Sequence, residues 1–163
     1  MSPVFTCRVA RTDSERAAYF ELRREIFCDE QGLFAGSDRD ALDQHAHPIV
    51  CLGGEGLVVG VVRIWEAAPG AWWGGRLGVQ RDFRTAGGVG RALVQHAVGT
   101  ARAWGAWQFR ATVQRANVAF FRRLHWQSLT ELQLHGAAHH LMEADLGRYA
   151  PTAEPREPSD AAA

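Results

Sequence analysis

Three β-rich runs follow one another with only turn residues between them, and that order limits the fold more than any other feature of the chain. Residues 48–52 and 57–66 are separated by Gly53-Gly54-Glu55-Gly56, a hairpin turn, and residues 72–80 begin after Pro69-Gly70. Strands joined this tightly are antiparallel. The sheet therefore opens as a meander, not as the βαβ unit of a dinucleotide-binding fold.

The flanking segments complete the order. Residues 5–10 alternate as a strand does, and Thr12-Asp13-Ser14-Glu15 supplies capping groups for a helix. Tyr19, Leu22 and Ile26, with Phe20 and Phe27, give that helix one apolar stripe through about Cys28. Residues 32–47 turn polar and acidic, which predicts a lid-like loop with at most one short helix at 40–45. Val89, Leu93, Ala97 and Ala101, with Val94 and Val98, predict a helix to about Trp104, stopped near Gly105. A strand at 107–113, a helix at 117–125 and two strands at 128–135 and 139–146 around Gly136 follow. The sum is an α+β fold, a mostly antiparallel sheet of six to seven strands with helices on its faces.

A chain of 163 residues suits one domain, here 1–150, followed by a tail at 151–163 whose prolines, charges and alanines predict disorder. Eighteen basic and eighteen acidic residues cancel, which argues against nucleic acid or an anionic membrane as partner and for a small molecule. Cys7, Cys28 and Cys51 are an odd set without CxxC spacing, so a reduced, cytoplasmic setting is expected. Arg63 interrupts the strongest apolar run, residues 57–65, which is too short to span a bilayer. Asp43 with His45 and His47 is a poor zinc pattern, and no metal is expected.

Between the third β-rich run and the helix at 89 lies RDFRTAGGVGRAL, residues 81–93. Glycines let backbone amides converge there, and a helix N-terminus adds the positive end of its dipole, so the segment suits an anion. A P-loop would need a GK[ST] ending that the chain lacks, and the GxGxxG spacing is broken at Leu93.

In this context the strand, loop and helix resemble the coenzyme A site of the GCN5-related N-acetyltransferases, the GNAT proteins. Three further segments carry the resemblance. Residues 114–126, QRANVAFFRRLHW, are similar to the GNAT FYxxxGF segment, and 22–31, LRREIFCDEQ, to the LRxxVFxxEQ of ElaA-type members. Residues 136–142, GAAHHLM, are similar to their GxPHxxM, and the QxxNVxFF pattern with the His-rich last hairpin resembles the nitrogen-starvation acetyltransferase group.

The resemblance implies acetyl-CoA as cosubstrate and direct attack of a small metabolite's amine on the thioester. It implies pyrophosphate binding by loop amides from Gly87, Gly88, Val89, Gly90 and Arg91, with Arg84 as a displaced side-chain partner. Of two registers, Gly88 and Gly90 as the GxG pair with Thr85 at the motif's Gln/Arg position is favoured, because Gly90-Arg91-Ala92-Leu93 then starts the helix; the other has Arg84 and Gly87 in spacing with Val89 at the small-residue position. Leu77, Gly78 and Val79 would supply main-chain contacts to pantetheine and acyl group, with Gly78 allowing a bulge. Asn117 is an N-cap or a cofactor contact, and Gln114 is placed to line the cleft. Glu30, His47 and His139 are candidates for proton removal, with Glu30 and His139 matching family motifs. Phe121 stands where many GNAT enzymes carry the tyrosine that protonates the departing thiolate, so that acid is absent or replaced. An acyl-homoserine-lactone synthase-like activity and a non-catalytic acyl-CoA sensor are the alternatives. The resemblance also allows a homodimer.

Overall fold

A computed structural model describes residues 5–84 and 88–156. Seven strands form one sheet: β1 (Thr6–Val9), β2 (His47–Leu52), β3 (Val58–Ala68), β4 (Ala71–Val79), β5 (Gln108–Gln114), β6 (Trp126–Leu134) and β7 (Ala137–Ala144). Their spatial order is β1-β2-β3-β4-β5-β7-β6, and every pairing is antiparallel except β4 with β5. The meander is as expected. Helix α2 (Val89–Ala103) makes the crossover that lets β5 lie parallel to β4.

Each face of the sheet has its own core. Helix α1 (Asp13–Arg23) packs Tyr19 and Leu22 against Val50 and Val61 on one face. On the other, α2 and α3 (Val118–Arg123) bury Leu93, Val98 and Phe121 against Ile64, Trp72, Phe109 and Met142. Gly60 sets how closely α2 approaches the sheet. A Cβ there would stand 2.8 Å from Val89 and 2.7 Å from Leu93, so α2 can rest on β3 only because the side chain is missing.

The first helix starts as the sequence indicates, with Thr12 accepting from the Glu15 amide at 3.0 Å. It does not continue as an α-helix to Cys28. Residues Arg24–Glu30 wind as a π-helix, and the wider turn brings Ile26 and Phe27, adjacent in sequence, both onto the sheet. Ile26 lies over Gly78, where a Cβ would be 2.7 Å from its Cδ1. This steric role is what the structure shows for Gly78.

The tail departs from the expected disorder over its first residues. Thr152 bonds through its amide to the Gly99 carbonyl at 3.1 Å, against a glycine whose Cβ would strike the Ala150 carbonyl at 2.6 Å. The Glu154 carboxylate accepts from the Val9 amide at 2.9 Å and meets His96 Nε2 at 3.0 Å; the Glu154 carbonyl accepts from the Trp104 indole at 3.0 Å. Arg156 lies over the Trp72 and Trp104 rings and pairs with Glu66 at 3.0 Å. Residues 151–156 thus strap α2 to the edge strand β1. Such contacts use backbone groups and single side chains, which an apolar period does not reveal. Residues 157–163 lie outside the described residues.

Candidate active site

Strands β4 and β5 pair from Ala71↔Gln108 to Gly74↔Ala111 and then separate. Two parallel strands that part at their C-terminal ends leave a wedge in the sheet, with main-chain groups along both walls. A cleft of about 370 Å³ occupies it, reached from β4 through Gly75, Arg76 and Leu77 and from β5 through Thr112, Val113 and Gln114.

The β4 wall carries a bulge. Val61 pairs with Gly78 and Arg63 with Gly75, so β4 has one more residue than β3 between these points. Arg76 absorbs it with φ of 52°, a left-handed conformation uncommon for a side chain other than glycine. The bulge therefore sits at Arg76 and Leu77, one step before the Gly78 position that sequence reasoning favoured. Leu77 lines the cleft; Val79 sits near the start of α2, within 3.8 Å of a Cβ placed on Gly90.

At the open end of the wedge α2 begins. Gly88 is its N-cap, with φ of 68° and no side-chain cap, so the amides of Val89, Gly90 and Arg91 open a fifteen-residue helix. Val89's side chain is buried and Arg91's is exposed. A Cβ on Gly90 would approach the Phe120 ring of α3 to 3.4 Å, which keeps this end of the helix close to β5's exit. Backbone donors that no side chain among the described residues caps, beside a strand wedge, fit a pyrophosphate followed by an extended pantetheine arm. Thr85 and Gly87, central to the two registers, lie outside the described residues.

Arg84 donates through Nε to the Val79 carbonyl at 2.8 Å and pairs with Glu30 at 2.6 Å. Glu30 is thus committed to the rim of the glycine loop, not presented to the cleft as a base. His47 is also elsewhere. It stacks near Trp72 and Trp104 on the α2 face, where burial and the Arg156 charge lower its pKa.

His139 does reach the cleft, from β7 opposite Gln114. Its Nδ1 is 2.9 Å from the Ala137 carbonyl, a bond in which Nδ1 donates, so that in the neutral ring Nε2 is the acceptor. Asn117 lines the same cleft, is exposed and makes no cap bond to α3, so of its two predicted roles the capping one is not realised. Gln114 bridges to Gln31 at 2.9 Å. Phe121 lines the cleft edge-on to Trp126, with ring centroids 5.1 Å apart.

Sequence reasoning missed the charged wall. Arg23, fully buried, pairs with Asp38 at 2.7 Å and Asp43 at 2.6 Å. Arg63 pairs with Asp40 through two bonds of 2.7 and 2.9 Å, and Arg76 reaches Asp38 and Asp40. Three arginines and three aspartates cancel, and they hold the acidic loop as a fixed wall where a lid was expected. Their signal was present: Arg23 and Arg63 stand inside otherwise apolar stripes, a placement tolerated only with partners. Asp40, bonded to Arg63, has its pKa lowered, so it presents an ionised carboxylate to the cleft.

The sequence model of the Acetyltransferase (GNAT) family matches residues 10–126. The chain belongs to that family. Among solved structures, the GNAT fold here is similar to Escherichia coli ElaA, with a TM-score of 0.75, 19% identity and coverage of 88% of this chain and 99% of that one. It is similar to an acyl-CoA N-acyltransferase from Pseudomonas aeruginosa, with a TM-score of 0.73, 23% identity and coverage of 88% and 99%. It is also similar to BjaI, a CoA-dependent acyl-homoserine lactone synthase, with a TM-score of 0.71, 19% identity and coverage of 89% and 84%. A search of curated protein sequences gave no match. The GNAT fold supports acyl-CoA-dependent acyl transfer.

Against that background the tyrosines matter. The Tyr149 hydroxyl donates to the Leu124 carbonyl and accepts from the Trp126 indole at 3.1 Å, and burial raises its pKa. Tyr19 is pushed up to about 12 by burial and accepts from Arg23 at 3.0 Å. Neither lines the cleft, so this GNAT domain places no tyrosine hydroxyl beside the position of the leaving group.

Proposed function

We propose that the protein is an N-acyltransferase that moves an acyl group, acetyl in the simplest case, from a coenzyme A thioester to the amine of a small metabolite. The observation that carries this reading is the wedge between β4 and β5, with His139 lining its cleft and the start of α2 beside Val79 at the end of β4. In this reading the first-turn amides of α2 hold the pyrophosphate, and the main chain of Leu77, Gly78 and Val79 lies beside pantetheine and thioester.

The fixed wall holds the acceptor. The Asp40 carboxylate, already paired with Arg63 and Arg76, lines that wall, and His139 Nε2 takes the one proton that a neutral amine must lose as it attacks. The amine nitrogen then forms a bond to the carbonyl carbon while the carbon–sulfur bond breaks, and the thiolate leaves with the bonding pair. Phe121 can give it no proton, so water or the protonated His139 supplies one. Thiolate is a fair leaving group, which is why this loss lowers the rate without preventing the reaction. The three free cysteines accord with a reducing compartment, the cytoplasm.

Calorimetry with coenzyme A and acetyl-CoA tests the first half, and absence of binding by both at millimolar concentration overturns it. A thiol-release screen over small amines tests the second, with Gly90→Trp as the blocked-site control. Phe121 favours one other reading, a non-catalytic acyl-CoA sensor, and binding without thiol release above hydrolysis across the panel selects it. S-adenosylmethionine belongs in the panel, because the BjaI structure holds it with isopentyl-CoA. Release with that acceptor alone selects the lactone synthase-like chemistry.

A further inference from the structure

The cleft does not end at the sheet. On the α1 side it is bounded by Asp40, Arg63 and Arg76 set among the rings of Phe27, Phe34 and Trp65; on the α2 side it continues between Val94, Val98, Phe109, Phe121 and Trp126. The second set carries no charge, and each of its members is at most 7% exposed. The passage runs through the wedge, whose vertex is formed by Gly74 and Ala111. Both are small, and a Cβ on Gly74 would stand 3.0 Å from the Phe109 ring.

An acyl chain that starts from a thioester in this wedge has two directions. Toward the α1 side an added methylene meets aromatic rings but also the guanidinium and carboxylate groups of Arg63, Arg76 and Asp40, whose hydration it disturbs. Through the wedge it meets only aliphatic and aromatic carbon, and its burial is favourable. The one polar atom of that second set, the Trp126 indole nitrogen, already donates to Tyr149.

We infer that the apolar chamber behind the wedge is an acyl-chain site, and that the preferred donor is a coenzyme A thioester of a medium-length aliphatic acid, not acetyl-CoA. The inference rests on the coenzyme A reading above and adds the donor class. It also gives Phe121 a task that tyrosine would perform less well, as a wall of the chamber.

Calorimetry of the 163-residue chain with coenzyme A and its acetyl, butyryl, hexanoyl and octanoyl thioesters separates the two claims. Affinity is expected to rise from acetyl to hexanoyl by about fourfold per methylene. Binding of coenzyme A with no rise along the series overturns the chamber and leaves the coenzyme A site standing; binding by none overturns the site itself. Ala111→Leu, which fills the vertex, is expected to remove the rise, and a full rise in that variant overturns the placement. Phe121→Ala, which enlarges the chamber, is expected to carry the rise on to octanoyl. Should Ala111→Leu lose its circular dichroism signal, Phe121→Ala decides, and an unchanged optimum in it counts against the inference.

Discussion

His139 and Glu30 show how much a single hydrogen bond decides at the residue scale. Both matched family motifs, but one keeps an unbonded ring nitrogen at the cleft and the other is held by Arg84. His139→Ala is expected to lower turnover by about 10²–10⁴-fold in the thiol-release assay. Glu30→Gln is expected to stay within about threefold of the parent, and a loss of 10²-fold or more would return Glu30 to the chemistry. Asp43 offers a pH test. Burial acts to raise its pKa, but bonds from Arg23 and the Asp40 amide prevail and lower it from 3.8 to about 2. A carboxyl depressed in the folded state stabilises above the unfolded value and loses that contribution as pH falls through the folded one. Stability is therefore expected to drop between about pH 4 and pH 2, and Asp43→Asn to flatten that limb in urea titrations read at each pH.

At the scale of elements, the glycines decide which helix can approach which strand. Gly60→Ala is expected to cost about 1–3 kcal/mol in denaturant unfolding, because the added methyl meets Val89 and Leu93 of α2. Period and turn chemistry were enough to recover the meander, α2 and the last hairpin, whose turn is made by His135 and Gly136 with φ of 52° and 74°. They could not recover the π-helical turns at Arg24–Glu30. A wider turn shows no regular period, and the contact it makes, Ile26 over Gly78, is with a strand distant in sequence. The bulge was legible as a need for one near Gly78, but its place at Arg76 follows from the register with β3, which is a tertiary quantity.

Over the whole molecule, the strap at 151–156 ties β1 to α2 through Glu154, which meets both together. Deletion after Ala150 is expected to lower stability by about 1–2 kcal/mol, seen as a lower Tm with stronger, red-shifted tryptophan emission as Trp104 becomes wet. An unchanged melting curve would reduce the strap to a passive contact. Residue order alone determined that this chain forms an antiparallel meander closed by a helical crossover, because strand and helix periods and the turn residues between them are local properties. The helix N-terminus beside the glycines was determined in the same way. The tertiary structure decided which polar groups face the cleft. It sent Glu30 to Arg84, His47 to the tryptophans and His139 to the wedge, and it joined Arg23, Arg63 and Arg76 to three aspartates far away in sequence. A charged side chain takes whatever partner folding brings within reach, and that distance is written in the packing of the sheet, not in the spacing of the residues.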